Sequence, residues 1–112
     1  MDFGKDLVAA SATPLVLAIL AEGDSYGYAI IKRVAELSAG HIHWTDGMLY
    51  PVLHRLERQG LVATKWGVSE TGRKRKYYRL TKPGGAALAA QQQQWRVMDK
   101  TLRVIWMKAS TT

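Results

Sequence analysis

Apolar positions recur at helical spacing in four stretches of this chain and at strand spacing in two. The most apolar run is "PLVLAILA", Pro14 to Ala21. Thr13 ahead of Pro14 has the chemistry of a helix entry: a hydroxyl to cap, then a proline in the first helical position, where its missing N–H costs nothing. Leu15, Ala18, Ile19 and Ala21 carry this helix to Glu22, and the preceding "FGKDLVAASA" is either a separate short helix or an extension of it. Gly23 suits a stop, and Asp24 or Ser25 caps a second helix. That helix has Ile30, Ile31, Val34 and Leu37 on one face and ends across Ser38 to Gly40.

"HIHWTDG" reads as a connector with a very short strand at Ile42, and Thr45 is the natural cap of a third helix, "GMLYPVLHRLERQG", that stops at Gly60. At about 100° per residue, Leu49, Val52, Leu53 and Leu56 form one narrow apolar stripe. Pro51 falls about 200° from Leu49, with Gly47, His54 and Arg58 on the same far side and Tyr50 and Arg55 flanking it. The helix-hostile proline is therefore expected to be exposed on an early, slightly irregular turn beside Gly47 and His54. Taken alone, such a face is a solvated basic surface; its use is decided by the segments next to it in the chain.

Two β-rich runs come next, "LVATKW" and "RKYYRL", joined by the loop "GVSETGRK". Alternation sets Tyr78 and Leu80 on one strand face and Tyr77 and Arg79 on the other, so one tyrosine is core and the other exposed. From Pro83 a last helix runs to about Lys108, roughly 25 residues and ~38 Å at the standard rise. Three helices, a two-stranded hairpin and a long helix predict a mainly α fold with a small β hairpin. This is a winged helix-turn-helix over residues 1–82, with a dimerisation helix and tail over 83–112 in the same compact unit.

Charge sharpens this picture. The 112 residues carry a formal charge of +7, which favours a polyanionic partner. "RKRKYYR" concentrates the charge directly after the third helix, so Arg73, Lys74, Arg75 and Lys76 are candidate phosphate or minor-groove contacts. On the third helix, Tyr50 and His54 can hydrogen-bond bases or phosphates, and Arg55 and Arg58 can bind phosphate or guanine. A rival use of the same features is a protein-interaction module whose basic hairpin docks an acidic partner. The absence of cysteine removes disulfides, thiolate zinc sites and cysteine nucleophiles, and fits a reducing cytoplasm. "PLVLAILA" is too short to span a membrane, which takes ~20 residues. Asp2, Lys5 and Asp6 give a negative start where secretory signals are positive. A complete, cytoplasmic chain is the expectation.

Four strings, "EGDSYGYAI", "GMLYPVLHRLERQGLV", the tryptophan of "TKW" and "GRKRKYYRLTKPG", cover Pro14 to Gly84. On them the chain resembles PadR-type transcriptional regulators, in particular the short subclass with a single carboxy-terminal helix. The resemblance implies that the third helix and the wing bind operator DNA and that the last helix makes a homodimer on an inverted repeat, commonly as a repressor. It implies contact roles for Thr45, Gly47, Tyr50, Pro51 and His54 and for the basic wing, and makes Tyr28 a backbone contact.

The last helix has Leu88, Trp95, Leu102 and Ala109 at one heptad position and Gln91, Met98 and Ile105 at the other, which predicts a helix–helix seam. "WRVMDK" is similar to a segment of multidrug-sensing members, in which a tryptophan from each subunit stacks planar aromatic ligands. That similarity implies a small aromatic effector at Trp95 and Asp99, although "QQQQ" is polar for such a pore and a packing role for Trp95 is the simpler reading. His41 and His43 lack a third ligand, so no metal or other cofactor is expected. No phosphate loop, nucleophile elbow or carboxylate pair is present, so no catalytic residues are assigned and no enzyme is expected. Arg33, Glu36 and Glu57 read as ordinary helix-surface charges.

Overall fold

A computed structural model describes residues 1–110. The element order is α1 (Lys5–Glu22), α2 (Gly27–Leu37), α3 (Asp46–Arg58), β1 (Val62–Val68), β2 (Lys74–Leu80) and α4 (Lys82–Ser110). The mainly helical fold with a two-stranded antiparallel hairpin is as the sequence pattern predicts. The last two residues of the expected tail lie outside the described residues.

The core is built from α1, α2, α3 and the base of the hairpin. Val16, Leu17, Ile30, Val34, Leu49, Leu53, Leu56, Val62 and Tyr78 are all buried in one cluster. Leu49, Leu53 and Leu56 deliver the predicted α3 stripe, and Val52 packs partly against it. Pro51 is exposed within an α3 that is helical from end to end, on the face the periodicity assigned to it. Thr45 caps this helix as expected, its hydroxyl accepting from the Met48 N–H at 3.3 Å.

Three local expectations are corrected. α1 begins at Lys5, with Gly4 as its N-cap, and Pro14 lies inside it rather than at its first position. Burial of Ala12 and partial burial of Val8 against the core hold the amino-terminal turns in the same helix. Neither Asp24 nor Ser25 caps α2, whose N-cap is Tyr26 with no side-chain bond. The backbone of Ser25 instead pairs with Tyr78, donating at 3.0 Å and accepting at 2.7 Å, and so adds a one-residue edge to the hairpin. Ile42 forms no strand; its N–H donates to the Ser38 hydroxyl at 2.9 Å.

The hairpin pairs Val62 with Leu80 through to Val68 with Lys74. Of the two tyrosines, Tyr78 is the buried one and Tyr77 is half-buried. Thr81 joins wing to α4: its hydroxyl donates to the Gly60 carbonyl at 2.7 Å and accepts from the Gly84 N–H at 3.1 Å. Gly84 is buried where α4 starts, and a Cβ there would overlap the Leu61 carbonyl oxygen. α4 spans 29 residues, ~44 Å at the standard rise, and leaves the body of the molecule behind: the described region measures 60 × 30 × 21 Å.

Candidate nucleic-acid interface

The hairpin register decides which wing residues face the third helix. On the face shared with buried Tyr78, β1 presents Thr64, Trp66 and Val68, and β2 presents Lys76 and Lys74. Near the base this face is core; farther out it becomes one wall of a cleft of about 460 Å³. The start of α2 supplies Tyr26 and Tyr28, α3 supplies Tyr50 and His54, and the wing supplies Trp66, Lys74, Arg75 and Lys76. Aromatic rings and cations thus converge where elements distant in sequence meet.

Local packing fixes several of these side chains. Tyr50 lies over the first residue of α2, and a Cβ at Gly27 would overlap its hydroxyl. Its ring sits 6.2 Å from that of His54. The Arg75 guanidinium stacks on Tyr26 at 3.8 Å, and Tyr26 meets Tyr77 edge-on at 5.7 Å. Lys76 reaches Glu57 at 3.8 Å and the Tyr78 ring at 5.5 Å. Arg73, at the turn, and Lys74 are exposed and form no ion pair among the described residues. Burial pushes the Tyr78 phenol pKa up, with the charges of Tyr50 and Glu57 acting in the same direction.

The remaining sequence-predicted residues distribute around this cleft. Tyr28 is exposed at its rim. Thr45, Gly47 and Pro51 form an exposed run along the amino-terminal half of α3. Arg58 is exposed in the last turn of α3, where a cation also complements the helix dipole. Arg55 turns the other way. Its guanidinium donates to the Thr13 hydroxyl of α1 and lines a second, mainly apolar groove of about 690 Å³ with Trp44, Met48 and Val52.

Trp66, Tyr26 and Glu57 were not singled out as site residues by sequence reasoning. Tyr50, His54 and Glu57 follow one another at i, i+4 and i+7, so their common flank was visible in the pattern. Trp66 was not separable by local pattern, because which strand face meets α3 depends on a non-local register.

On α4, Trp95 and Leu102 are half-buried, while Met98 and Ile105 are exposed, as are Val97, Val104, Trp106 and Met107. Leu88 packs partly against the core of its own chain. Asp99 is held by Arg103 at 2.9 Å. No helix among the described residues is long and apolar enough to cross a membrane.

Known proteins are similar to this chain in fold and sequence. A transcriptional regulator from Clostridium thermocellum superposes with a TM-score of 0.81 at 29% identity, over 88% of this chain and 96% of that one. A PadR family regulator from Eggerthella lenta gives 0.75 at 36% identity, over 87% and 82%. A transcriptional regulator of Mycobacterium tuberculosis is 43% identical over 70 residues, 62% of this chain and 62% of its own length. The model of the transcriptional regulator PadR-like family matches residues 16–90, a span that includes the cleft, the wing and the start of α4. The chain therefore belongs to the PadR-like family, whose members are transcriptional regulators and not enzymes.

Proposed function

We propose that the chain is a homodimeric repressor that binds an inverted-repeat operator in the cytoplasm and releases it on binding a small planar aromatic ligand. The observation that carries the DNA part is the cleft: exposed Tyr50 and His54 on α3 stand beside a wing whose Trp66, Lys74 and Lys76 share one face. In this reading Gly47, Tyr50, Pro51 and His54 approach base edges, with Thr45 at the helix entry. Arg58, Tyr28 and the cations Arg73 to Lys76 bind phosphates. Arg55, tied to Thr13, braces α3 on α1 rather than reaching DNA.

Residues 1–82 then form the DNA-binding part and 83–112 the dimerising part of one unit. Support for the dimer comes from α4, where Met98, Ile105, Trp106 and Met107 are each more than half exposed in the single chain. Met98 and Ile105 lie one above the other on the helix with Trp106 beside them, and an exposed apolar stripe of this kind calls for a partner, which a second α4 supplies with two-fold symmetry. The paired helices would bring Trp95 and its symmetry mate together, with Asp99 nearby, as the effector site.

Enrichment from a random duplex pool tests the reading. The expected product is a two-fold symmetric motif whose binding weakens steeply with salt. Binding that stays flat between low and moderate salt, or a pool with no selected motif, refutes it and favours docking of an acidic protein. Quenching of tryptophan fluorescence by planar aromatics, lost in Trp95→Ala, checks the effector.

A further inference from the structure

The wing is held to the reading helix by a carboxylate. Glu57 lies on the flank of α3 that carries Tyr50 and His54, and both of its oxygens are engaged by the hairpin. From β1, the Thr64 hydroxyl donates to Oε2 at 3.0 Å. From β2, Nζ of Lys76 lies 3.8 Å from Oε1. The two side chains are 37% and 30% exposed, so the pair is partly shielded from solvent and from salt. Lys76 also lines the cleft, whose lining includes no acidic residue.

A carboxylate in this position does two things. It adds a tie from both wing strands to α3, and its charge offsets that of the ammonium that a DNA phosphate would otherwise meet alone. A duplex lying loosely on the basic surface gains little from a lysine already neutralised. One that seats fully against Tyr50, His54 and the wing finds the wing at the angle that Glu57 imposes and brings a phosphate close enough to compete for Lys76.

We infer that Glu57 is a specificity-determining positioning residue, which sets the wing angle and suppresses indiscriminate backbone binding by competing with phosphate for Lys76. This rests on the DNA-binding reading above. Glu57→Gln is the informative change, because the amide oxygen still accepts from Thr64 while its charge is gone.

The test compares the enriched duplex with an unrelated duplex of equal length, across a salt series, for wild type, Glu57→Gln, Glu57→Ala and Glu57→Gln/Lys76→Ala. Thermal melts verify folding. On the unrelated duplex, Glu57→Gln is expected to bind tighter, with a log–log salt slope steeper by about 1.8, the value for one added phosphate contact in each subunit of the dimer. Between 50 and 200 mM salt that is roughly a 12-fold change in the ratio of variant to wild-type affinity. The gain disappears in the double variant, and Glu57→Ala, which also lacks the Thr64 bond, loses affinity for the enriched duplex. An unchanged slope in Glu57→Gln, or a steepening that persists without Lys76, overturns the proposal while wild-type binding stands. A wild-type chain with no salt-dependent duplex binding removes the DNA reading and this proposal together.

Discussion

Replacing Tyr78 by phenylalanine should stabilise the protein. The side chain is 1% exposed and belongs to the core cluster, yet its hydroxyl has no hydrogen-bond partner among the described residues. A buried hydroxyl left unpaired costs about 1–3 kcal/mol. Phenylalanine keeps the ring and removes that penalty, so a gain of about 1–2 kcal/mol is expected. In a domain of this size each kcal/mol raises Tm by roughly 4–8 °C, compared at equal protomer concentration. A second signature lies at alkaline pH. Because burial raises the Tyr78 phenol pKa above its ordinary value of 10.0, the unfolded chain ionises first. Stability is fully present below that value and is lost as pH rises towards the folded pKa, by up to about 1.4 kcal/mol per pH unit. Tyr78→Phe removes this component. Urea denaturation near neutrality and in steps through the alkaline range measures both effects. A variant less stable than wild type by about 1 kcal/mol, with the alkaline slope intact, would show that the hydroxyl is paired and that the reasoning is wrong.

Lys74→Ala and Arg73→Ala should each lower the salt slope by about 1.8, one phosphate contact in each subunit of the dimer, and weaken all duplexes alike; a sequence-dependent loss in a filter-binding series contradicts their assignment to phosphate. Tyr50→Ala should instead reduce discrimination between the enriched duplex and single-base variants of it, by about 1–3 kcal/mol at the base it contacts. Gly84→Ala drives a Cβ into the Leu61 carbonyl and is expected to cost about 1–3 kcal/mol, read by chemical denaturation; a neutral result would mean that α4 does not enter so closely. The Glu22 carboxyl is held below its ordinary 4.5 mainly by its hydrogen bond with Arg33, with the guanidinium charge adding to the effect. Its contribution to stability is present above that value and is lost as pH falls through the folded pKa. Acid unfolding of Glu22→Gln should lack this component.

How much of this was legible beforehand depends on whether a contact is local. The α3 stripe, the Thr45 cap and the exposed Pro51 follow from spacings within one helix, and the structure has all three. Thr13 and Pro14 show the limit of local chemistry. Their pairing spells a helix start, but Val8 and Ala12 gain burial only if the helix begins earlier, and Thr13 then spends its hydroxyl on Arg55 from α3. Ser25 repeats the lesson with its backbone, since its partner Tyr78 lies on a strand formed much later in the chain.

The site divides along the same line. The exposure of Gly47, Tyr50, Pro51, His54 and Arg58 was readable from one helix, whereas Arg55 is drawn to Thr13 of α1, and Trp66, Tyr26 and Glu57 acquire their contacts only when the hairpin register sets the wing against α2 and α3. That division bears on mechanism. Cations counted along "RKRKYYR" look equivalent, but Arg75 is stacked on Tyr26 and Lys76 is paired with Glu57, which leaves Arg73, Lys74 and Arg79 as the wing cations of that run without an intramolecular partner for their charge among the described residues. A basic run therefore overstates the phosphate contacts immediately available to DNA. The wing's share of the measured salt slope should accordingly fall below that of one phosphate contact for each cation of the run unless docking breaks those internal pairs.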